Sequence, residues 1–347
     1  MTLEPLGSLE RARPAWSALA EATGNLFATY EWGEAWCRHL LGDRELHVLA
    51  VRREDGTASA LLPLVATRRR PLRVVRLVGD GPGDRLAPLC APEDRPEAAR
   101  ALREALADLR ADLFVGAEMP VDEGWEDLLG GETIQRQASP VLETEGRTWD
   151  EFLASRSRNF REQVRRRERK LGREHDLRFR LSDDPDGLEA DMRTLFALHD
   201  ARWSGTTQTF GGPMAAFHLD FARAALEQGW LRLWVLELDG EPAAAWYGFR
   251  YAGVEWYYQM GRDPRREKQS VGFVLLCHTM REAFDAGMSE YRLLRGNEEY
   301  KDRFATSDPG LATIALPRTA RARAATAARD MVRRLPEGPR RRLLRLT

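Results

Sequence analysis

The sequence predicts a mixed α/β fold of the α+β type, with two copies of one plan in succession along the chain. Three observations predict it. The chain has 347 residues, which is the length of about two domains. A composition of 43% hydrophobic and 31% charged residues supplies a buried core and excludes a disordered chain. Finally, apolar β-branched runs and helical patterns occur in the same order in both halves.

The first copy begins with two helical patterns and continues with a strand meander, in which Asp55-Gly56 forms the first hairpin turn. A helix and a strand complete it. The elements that we expect are helices at 9–22, 31–41 and 96–109, and strands at 46–52, 58–67, 72–79 and 112–117.

The second copy repeats that order more clearly, because Gly240 and Gly253 mark its hairpin turns and Gly287 ends a helix. The strands that we expect lie at 177–181, 231–238, 243–251, 254–260, 290–294 and 311–316. The expected helices lie at 188–203, 215–228, 271–286 and 298–304.

A long helix over 149–172 precedes the second copy. Leu153, Phe160, Val164 and Leu171 fall on one side at helical spacing and predict a buried stripe. A second stripe of arginines is either a solvated face or an electropositive wall for an anionic ligand. Its members are Arg158, Arg161, Arg165 and Arg169.

These patterns divide the chain into four segments. We expect a first domain at 1–147 without a working cofactor site, an Arg-rich interdomain helix at 148–175, a second domain at 176–317 with the cofactor site, and a basic C-terminal helix or tail at 318–347. The loop Gly79-Asp-Gly-Pro-Gly83 occupies the place of the second domain's cofactor loop. It lacks that loop's pattern, which is why we expect no cofactor in the first domain.

The formal net charge of -1 hides an uneven distribution. Residues 156–180 carry eleven Lys or Arg against four Asp or Glu, and residues 318–347 carry ten against two. Only Lys170, Lys268 and Lys301 are lysines among 53 basic residues. In so Arg-biased a chain, a retained lysine indicates a place where a guanidinium does not substitute, although chance also leaves a few.

Several classes of protein are excluded. The three cysteines are far apart and contain no C-x-x-C, so neither a disulfide framework nor a zinc cluster is expected. The histidines show no metal-binding spacing, and we expect no metal. Without a signal peptide or an apolar run of about 18 residues, a cytoplasmic protein with no transmembrane segment is expected.

The most informative segment runs from Gly261 to Cys277, where a strand ends, a polar loop follows and a helix begins. A helix N-terminus offers unpaired N–H groups to a phosphate, and a glycine there lets a diphosphate approach the backbone. Gln269-x-x-Gly272-x-Val274 resembles the Q/R-x-x-G-x-G/A signature of the pyrophosphate loop of GNAT acyltransferases, with Val274 departing from it. The alternative is a glycine that serves only a tight turn.

Wider motifs resemble the CelD-like acetyltransferases, which are bacterial tandem-GNAT proteins similar to the FemABX aminoacyl transferases. The similarity covers most of residues 25–316 and is specific in the second half. The motifs are Leu198-His-Asp-Ala-Arg-Trp203, Gly261-Arg-Asp-Pro264, Ser270-x-Gly272, Ala286-Gly287 and Arg295-Gly-Asn-Glu-Glu-Tyr300-Lys301-x-x-Phe304, with Phe27-x-x-Tyr-x-Trp32-x-x-x-Trp36 and Ser157-Arg158-Asn-Phe-Arg161 earlier in the chain.

The resemblance implies two tandem GNAT-like domains, with mixed sheets flanked by helices, and acetyl-CoA or another acyl-CoA as donor. The acyl thioester would lie along strand 254–260, with backbone N–H groups polarising its carbonyl, and the diphosphate would lie at the following helix. The residues implied in this binding are Tyr258, Gln259, Met260, Gln269, Ser270, Val271, Gly272 and Phe273.

The resemblance also implies catalytic roles for Tyr300 and Lys301. Tyr300 matches the tyrosine that protonates the departing thiolate in GNAT enzymes. Lys301 aligns with a lysine that supports the transition state as a charge donor in FemABX-like proteins, or it is an ordinary lysine of a short helix.

Aromatic and basic side chains are candidates for the acceptor pocket. Tryptophan rings suit stacking on a sugar or an acyl chain, although a core role is the alternative for each. Arg202 could hold a carboxylate or form a salt bridge, and the loop at 204–213 could act as a lid. The set is Trp32, Trp36, Arg158, Arg161, Arg202, Trp203, Trp246 and Asn297.

The expected function is transfer of an acyl group from CoA to an amine of a small molecule, an amino sugar or an envelope polysaccharide. The alternatives are a FemABX-like aminoacyl-tRNA-dependent transferase, with the arginine stripe on tRNA phosphates, and a non-catalytic binding module. Apart from that tRNA alternative, no nucleic-acid partner is expected, and the sequence leaves the acceptor and the oligomeric state open.

Overall fold

The structure, a computed structural model, describes residues 2–69, 71–203 and 209–334. Within these residues the chain forms two compact units, each with a central sheet and flanking helices, as the sequence predicts. Unit 1 comprises 2–37, 41–137 and 310–334, and unit 2 comprises 38–40 and the described part of 138–309.

The strands are β1 (Thr2–Pro5), β2 (Glu45–Arg52), β3 (Ala58–Arg69), β4 (Leu72–Leu77), β5 (Leu89–Cys90), β6 (Leu113–Pro120), β7 (Glu132–Gln137), β8 (Val141–Glu143), β9 (Leu177–Leu181), β10 (Leu231–Leu238), β11 (Glu241–Tyr251), β12 (Val254–Arg262), β13 (Glu290–Arg292) and β14 (Leu311–Pro317). The helices are α1 (Leu9–Thr23), α2 (Tyr30–Leu40), α3 (Arg95–Asp108), α4 (Trp125–Leu129), α5 (Trp149–Ala154), α6 (Arg158–Glu174), α7 (Leu188–Trp203), α8 (Pro213–Glu227), α9 (Val271–Asp285), α10 (Glu299–Asp302) and α11 (Ala320–Arg334).

The sheet of unit 1 has the order β1-β2-β3-β4-β6-β14-β7, with β5 paired to β3. β4 and β6 are parallel and pair over a short stretch, Val74 with Leu113 and Val75 with Phe114. The loop after β4 is tied to β6, because the backbone N–H of Leu86 donates to the carbonyl of Glu118 at 3.0 Å. Leu86 is buried. This loop is the one for which the sequence predicts no cofactor.

The sheet of unit 2 has the order β8-β13-β12-β11-β10-β9. Its pairings are antiparallel apart from that of β12 with β13. The core beneath α9 is made of aromatic and aliphatic side chains, and Phe152 stacks on Phe284 at 5.6 Å between ring centroids. Helices α5 and α6 pack on α9. This packing positions the first turn of α9, where the loop that follows β12 ends.

Most predicted elements are found within a few residues of their expected bounds, and the two clearest departures have local causes. The helix expected at 149–172 is wrong as a single element. It is broken into α5 and α6, because Ser157 caps α6 by accepting the N–H of Phe160 at 3.3 Å. The strand expected at 311–316 exists as β14, but it pairs with β6 and β7 in the sheet of unit 1.

Candidate functional site

Strands β12 and β13 separate within the sheet of unit 2. They pair over three positions, Val254 with Glu290, Glu255 with Tyr291 and Trp256 with Arg292. β13 ends there, whereas β12 continues to Arg262 alongside β11. Beyond Trp256 no residue of β13 pairs with β12, and an extended ligand could lie along this edge as an added strand does.

A β-bulge marks the point of separation. Tyr247 pairs with Gln259 and Gly248 pairs with Tyr257, so Tyr258 is the extra residue on β12. Bulges re-aim side chains and interrupt pairing next to active sites. Tyr257 packs into the core against Trp246, whereas the half-buried Tyr258 lies 5.0 Å from the imidazole of His218, between ring centroids.

The loop after β12 ends at the N-terminus of α9. Ser270 has a left-handed backbone with φ 57° and makes no side-chain cap, so its hydroxyl does not occupy the N–H groups of the first turn. A Cβ at Gly272 would lie 3.2 Å from Met260 Sδ and from Arg262 Cδ, which places this turn directly against β12. The buried Val274 packs into the core, so its departure from the glycine pattern does not cover the N–H groups.

A basic cleft of about 690 Å³ adjoins this loop. Arg265, Arg266 and Lys268 supply positive charge, and Asp263 orders the loop by accepting the N–H of Arg265 at 2.9 Å. The remaining lining residues are Glu241, Pro242 and Gln269. A concentration of cations beside an uncapped helix N-terminus favours an anionic ligand.

Tyr300 of α10 is hydrogen-bonded to Tyr257 of β12. Burial above all, and then the neighbouring Tyr257, raises the pKa of Tyr300 well above the usual value of a phenol, while Arg202 opposes that shift. Burial also raises the pKa of Tyr257, and Arg202 again opposes the shift, so its guanidinium acts on both phenols. The Tyr300 hydroxyl therefore remains protonated at neutral pH and can donate a hydrogen bond.

Lys301 is buried and its ammonium is fully engaged. Nζ donates to the carbonyl of Arg295 at 2.7 Å and to that of Leu294 at 3.3 Å, and it lies 3.0 Å from Glu298 Oε2. An ammonium has three N–H donors. Because all three are satisfied by the protein, Lys301 holds the 294–298 loop in the described conformation.

Three of the tryptophans that the sequence offers for the acceptor pocket are core residues. Trp32 and Trp36 are buried in unit 1, where Trp36 Nε1 donates to the carbonyl of Asp80 at 3.2 Å. Trp246 is buried in unit 2 and stacks on Tyr257. Their rings are at most 1% exposed, so ligand stacking is corrected to core packing for all three.

The other acceptor candidates lie in different places. Arg158 is exposed on α6 and pairs with Glu162 at 2.8 Å, and Arg161 Nη1 donates to the carbonyls of Ala154 and Arg156. Asn297 is exposed in the loop before α10. The side chain of Trp203 lies outside the described residues, as does the first half of the loop expected to form a lid, residues 204–208.

Two residues near the loop that follows β12, His175 and Asp239, were not predicted from the sequence. His175 lies at the end of α6 and contacts both Asp239 and Gln269. A histidine far away along the chain gives no motif with Gln269, and the strand order β9-β10-β11-β12 brings the segments together.

The described residues contain neither a metal-binding cluster nor a membrane-spanning helix. No cluster of three or more His, Cys, Asp or Glu side chains is arranged to hold a metal ion in 2–69, 71–203 and 209–334. Across the same ranges, each helix is too short or too polar to cross a bilayer.

Part of the chain is similar to a known family. The family model described as an acetyltransferase (GNAT) domain matches residues 158–302. This domain has the GNAT fold. The match includes β12, the loop after it and α9, which are the elements of the site described above.

The whole chain is similar in fold to solved structures of low sequence identity. FemX is 12% identical with a TM-score of 0.62, and the match covers 91% of this chain and 98% of FemX. A conserved protein of unknown function from Bacteroides thetaiotaomicron is 10% identical, with a TM-score of 0.59 over 90% and 99%. L-PGS from Bacillus licheniformis is 16% identical, with a TM-score of 0.56 over 87% and 95%. Curated proteins give no significant match.

Proposed function

We propose that this chain is an acyl-CoA-dependent N-acyltransferase, with acetyl-CoA or another acyl-CoA as donor and a small-molecule or saccharide amine as acceptor. The observation that carries the proposal is the adjacency, within unit 2, of the separated edge of β12 and the uncapped N-terminus of α9. One takes an extended chain and the other takes a diphosphate, and acyl-CoA contains both. The GNAT match over 158–302 supports it.

The proposed donor site uses the residues on either side of this junction. Backbone groups of Tyr258, Gln259 and Met260 would contact the acyl end, and those from Gln269 to Phe273 the diphosphate. Side chains of Val271 and Phe273 contribute to packing instead, since Val271 is buried and Phe273 lies against Phe304 with 6.0 Å between centroids. Acyl-CoA supplies the activated thioester, and the protein supplies orientation and N–H donors for the developing oxyanion.

In the proposed reaction the amine attacks the thioester carbonyl, the C–N bond of the amide forms and the C–S bond breaks to release the thiolate. The proton that the nitrogen loses passes to solvent, from which Tyr300 is reprotonated after it has donated to the sulfur. Tyr300 would donate its O–H to that sulfur, which requires a phenol that is protonated at working pH. The raised pKa of Tyr300 keeps its hydroxyl protonated at working pH but opposes release of the proton, so its role would be to hydrogen-bond the developing thiolate and protonate it as the sulfur leaves. Tyr257 and Arg202 would then stabilise the oxygen of Tyr300 as it gives up its proton. Lys301 would act as a positioning residue, because its donors are satisfied by the protein.

The proposal is tested by titrating acetyl-CoA and longer acyl-CoAs in a thermal-shift assay. A ligand at 100 times its Kd stabilises the folded state by about 2.7 kcal/mol. Stabilisation by CoA thioesters, with acceptor amines then screened for CoA release, supports the function. The absence of stabilisation by every chain length would contradict it. The finer placement in the CelD-like group depends on which acceptor is found.

A FemABX-like, aminoacyl-tRNA-dependent transferase is a second candidate. The fold similarity to FemX and the charge of α6 favour it. Exposed Arg158, Arg165 and Lys170 have partners that are themselves at least 48% exposed, so these ion pairs leave a positive face in solution. Co-purifying RNA, released steeply as salt rises, would select this function. A non-catalytic module would bind CoA without turnover with any amine.

A further inference from the structure

Four side chains are linked in series by hydrogen bonds beside the loop that leads to α9. Arg266 Nη1 donates to Gln269 Oε1 at 3.3 Å. Gln269 Nε2 lies 2.8 Å from His175 Nε2, and His175 Nδ1 lies 2.6 Å from Asp239 Oδ2. The chain thus joins the loop to the end of α6 and to the turn between β10 and β11.

The donors of this chain determine where each proton lies. A guanidinium can only donate, so the amide oxygen of Gln269 must face Arg266 and its NH₂ must face His175. In this arrangement His175 Nε2 accepts, which places the imidazole proton on Nδ1. That proton is donated to the carboxylate of Asp239. A histidine whose tautomer is fixed by one partner presents a defined lone pair to the other.

Asp239 is itself held by backbone. Its Oδ1 accepts the N–H of Asp176 at 2.9 Å, and its own N–H donates to the carbonyl of Asp176 at 3.0 Å. The hydrogen bond from the backbone N–H of Asp176, and after it the hydrogen bond with His175, lowers the pKa of Asp239. The carboxylate is therefore ionised and fixed in place, and it can impose the Nδ1–H tautomer on a His175 side chain that is 17% exposed.

We propose that His175 and Asp239 are positioning residues for the diphosphate loop, acting through the side chain of Gln269. Together they fix Gln269 one residue before the turn into α9, and Gln269 holds Arg266 at the wall of the basic cleft. This inference rests on the proposed function, since it concerns the same donor site. A loop held in its binding conformation before the ligand arrives loses less entropy on binding.

Variants of His175 separate the two bonds. His175→Gln places an amide oxygen near the position of Nε2 and can still accept from Gln269. His175→Asn places an amide NH₂ near the position of Nδ1 and can still donate to Asp239, but it loses Gln269. Asp239→Asn turns an NH₂ toward His175 and reverses the tautomer. His47→Asn, in β2 of unit 1, is the matched control.

Acetyl-CoA affinity is measured for each variant by calorimetry. Loss of one hydrogen bond corresponds to a Kd raised about 5- to 10-fold, expected for His175→Asn and Asp239→Asn. His175→Gln and the control are expected to stay within about twofold. In turnover, the KM for acyl-CoA rises while kcat is retained. Equal Kd values for all variants would overturn the inference.

The tautomer is measured independently of any CoA binding. Imidazole ¹⁵N spectra of the full-length unliganded protein are expected to show His175 as the Nδ1–H form and to change in Asp239→Asn. An Nε2–H form in the native protein overturns the inference, even if acyl-CoA binds. Failure of acyl-CoA to bind overturns the proposed function and, with it, the role of the chain in donor binding. An Nδ1–H result in that case would support only the hydrogen-bonded geometry.

Discussion

Replacing Lys301 by methionine distinguishes a positioning lysine from one that acts on the substrate. Methionine keeps the length of the side chain but removes three donated interactions, to Leu294, Arg295 and Glu298. Two buried or half-buried carbonyls are then left without their donor, while Glu298 is 53% exposed and can be solvated. At about 1 to 2 kcal/mol for each carbonyl, we expect the free energy of unfolding to fall by about 2 to 4 kcal/mol.

The loop conformation strengthens this expectation. Leu294 has φ 56° and Gly296 has φ 125°, which are backbone angles that residues other than glycine rarely adopt. A Cβ on Gly296 would lie 2.9 Å from Lys301 Nζ, so there is little space for a larger cation. Lys301→Arg is therefore also expected to destabilise the chain, which explains physically why a lysine is retained here.

The assay is urea unfolding followed by circular dichroism, together with CoA release. Lys170→Met is the control, because Lys170 is an exposed lysine of α6 whose loss is expected to change stability by at most about 0.5 kcal/mol. A Lys301→Met protein that unfolds like the native chain but loses all turnover would refute the positioning role. It would restore the charge-donor role that the family resemblance implies.

Four further substitutions have defined outcomes. Tyr300→Phe is expected to lower kcat for CoA release by 10²-fold or more, with little change in the Kd of acetyl-CoA. Tyr257→Phe is expected to lower kcat by about tenfold. Unchanged turnover in both variants would contradict the role of Tyr300 as the acid. His278, stacked on an aromatic ring at 4.0 Å, has a pKa lowered to about 4 by burial and then by Arg281. Its neutral form is favoured in the folded state, so stability falls as pH drops from about 6.5 to 4, and His278→Phe should remove roughly 2 to 3 kcal/mol of that fall in urea titrations at each pH; equal pH dependence in both proteins would contradict it. Gly261→Ala puts a Cβ 2.5 Å from the backbone of α7, so the thermal midpoint is expected to fall. A midpoint unchanged from the native value would show that this contact can relax.

The sequence predicts the repeated order of elements because alternation and helical spacing are local signals. Strand β14 shows the limit of such signals. Its pattern predicts a strand, but nothing in residues 311–316 specifies the sheet that it joins, and it pairs with β6 and β7. The break between α5 and α6 cannot be predicted from an apolar stripe, because the cap at Ser157 interrupts the helix without changing the spacing of the apolar residues.

The candidate site divides in the same way. The strand, loop and glycine leading into α9 are contiguous, so the segment from Gly261 to Cys277 could be singled out from sequence. The burial of individual side chains could not be predicted from the sequence, and three tryptophans proposed for ligand stacking are core residues. Nor could the contacts of His175 and Tyr257, which depend on pairing between segments tens of residues apart.

The most direct test of a CoA site at the start of α9 is calorimetric titration of acetyl-CoA into the native chain and into Gly272→Asp. An acidic residue in the first turn of a helix interacts favourably with the helix dipole but opposes a diphosphate at the same N–H groups. Because Gly272 is buried and a Cβ there would lie 3.2 Å from Met260 Sδ, the folding of the variant is first checked by circular dichroism. We expect one acetyl-CoA bound per chain and an affinity at least about tenfold weaker in the variant. No binding by the native chain, or equal binding by a folded Gly272→Asp, would contradict the proposed site.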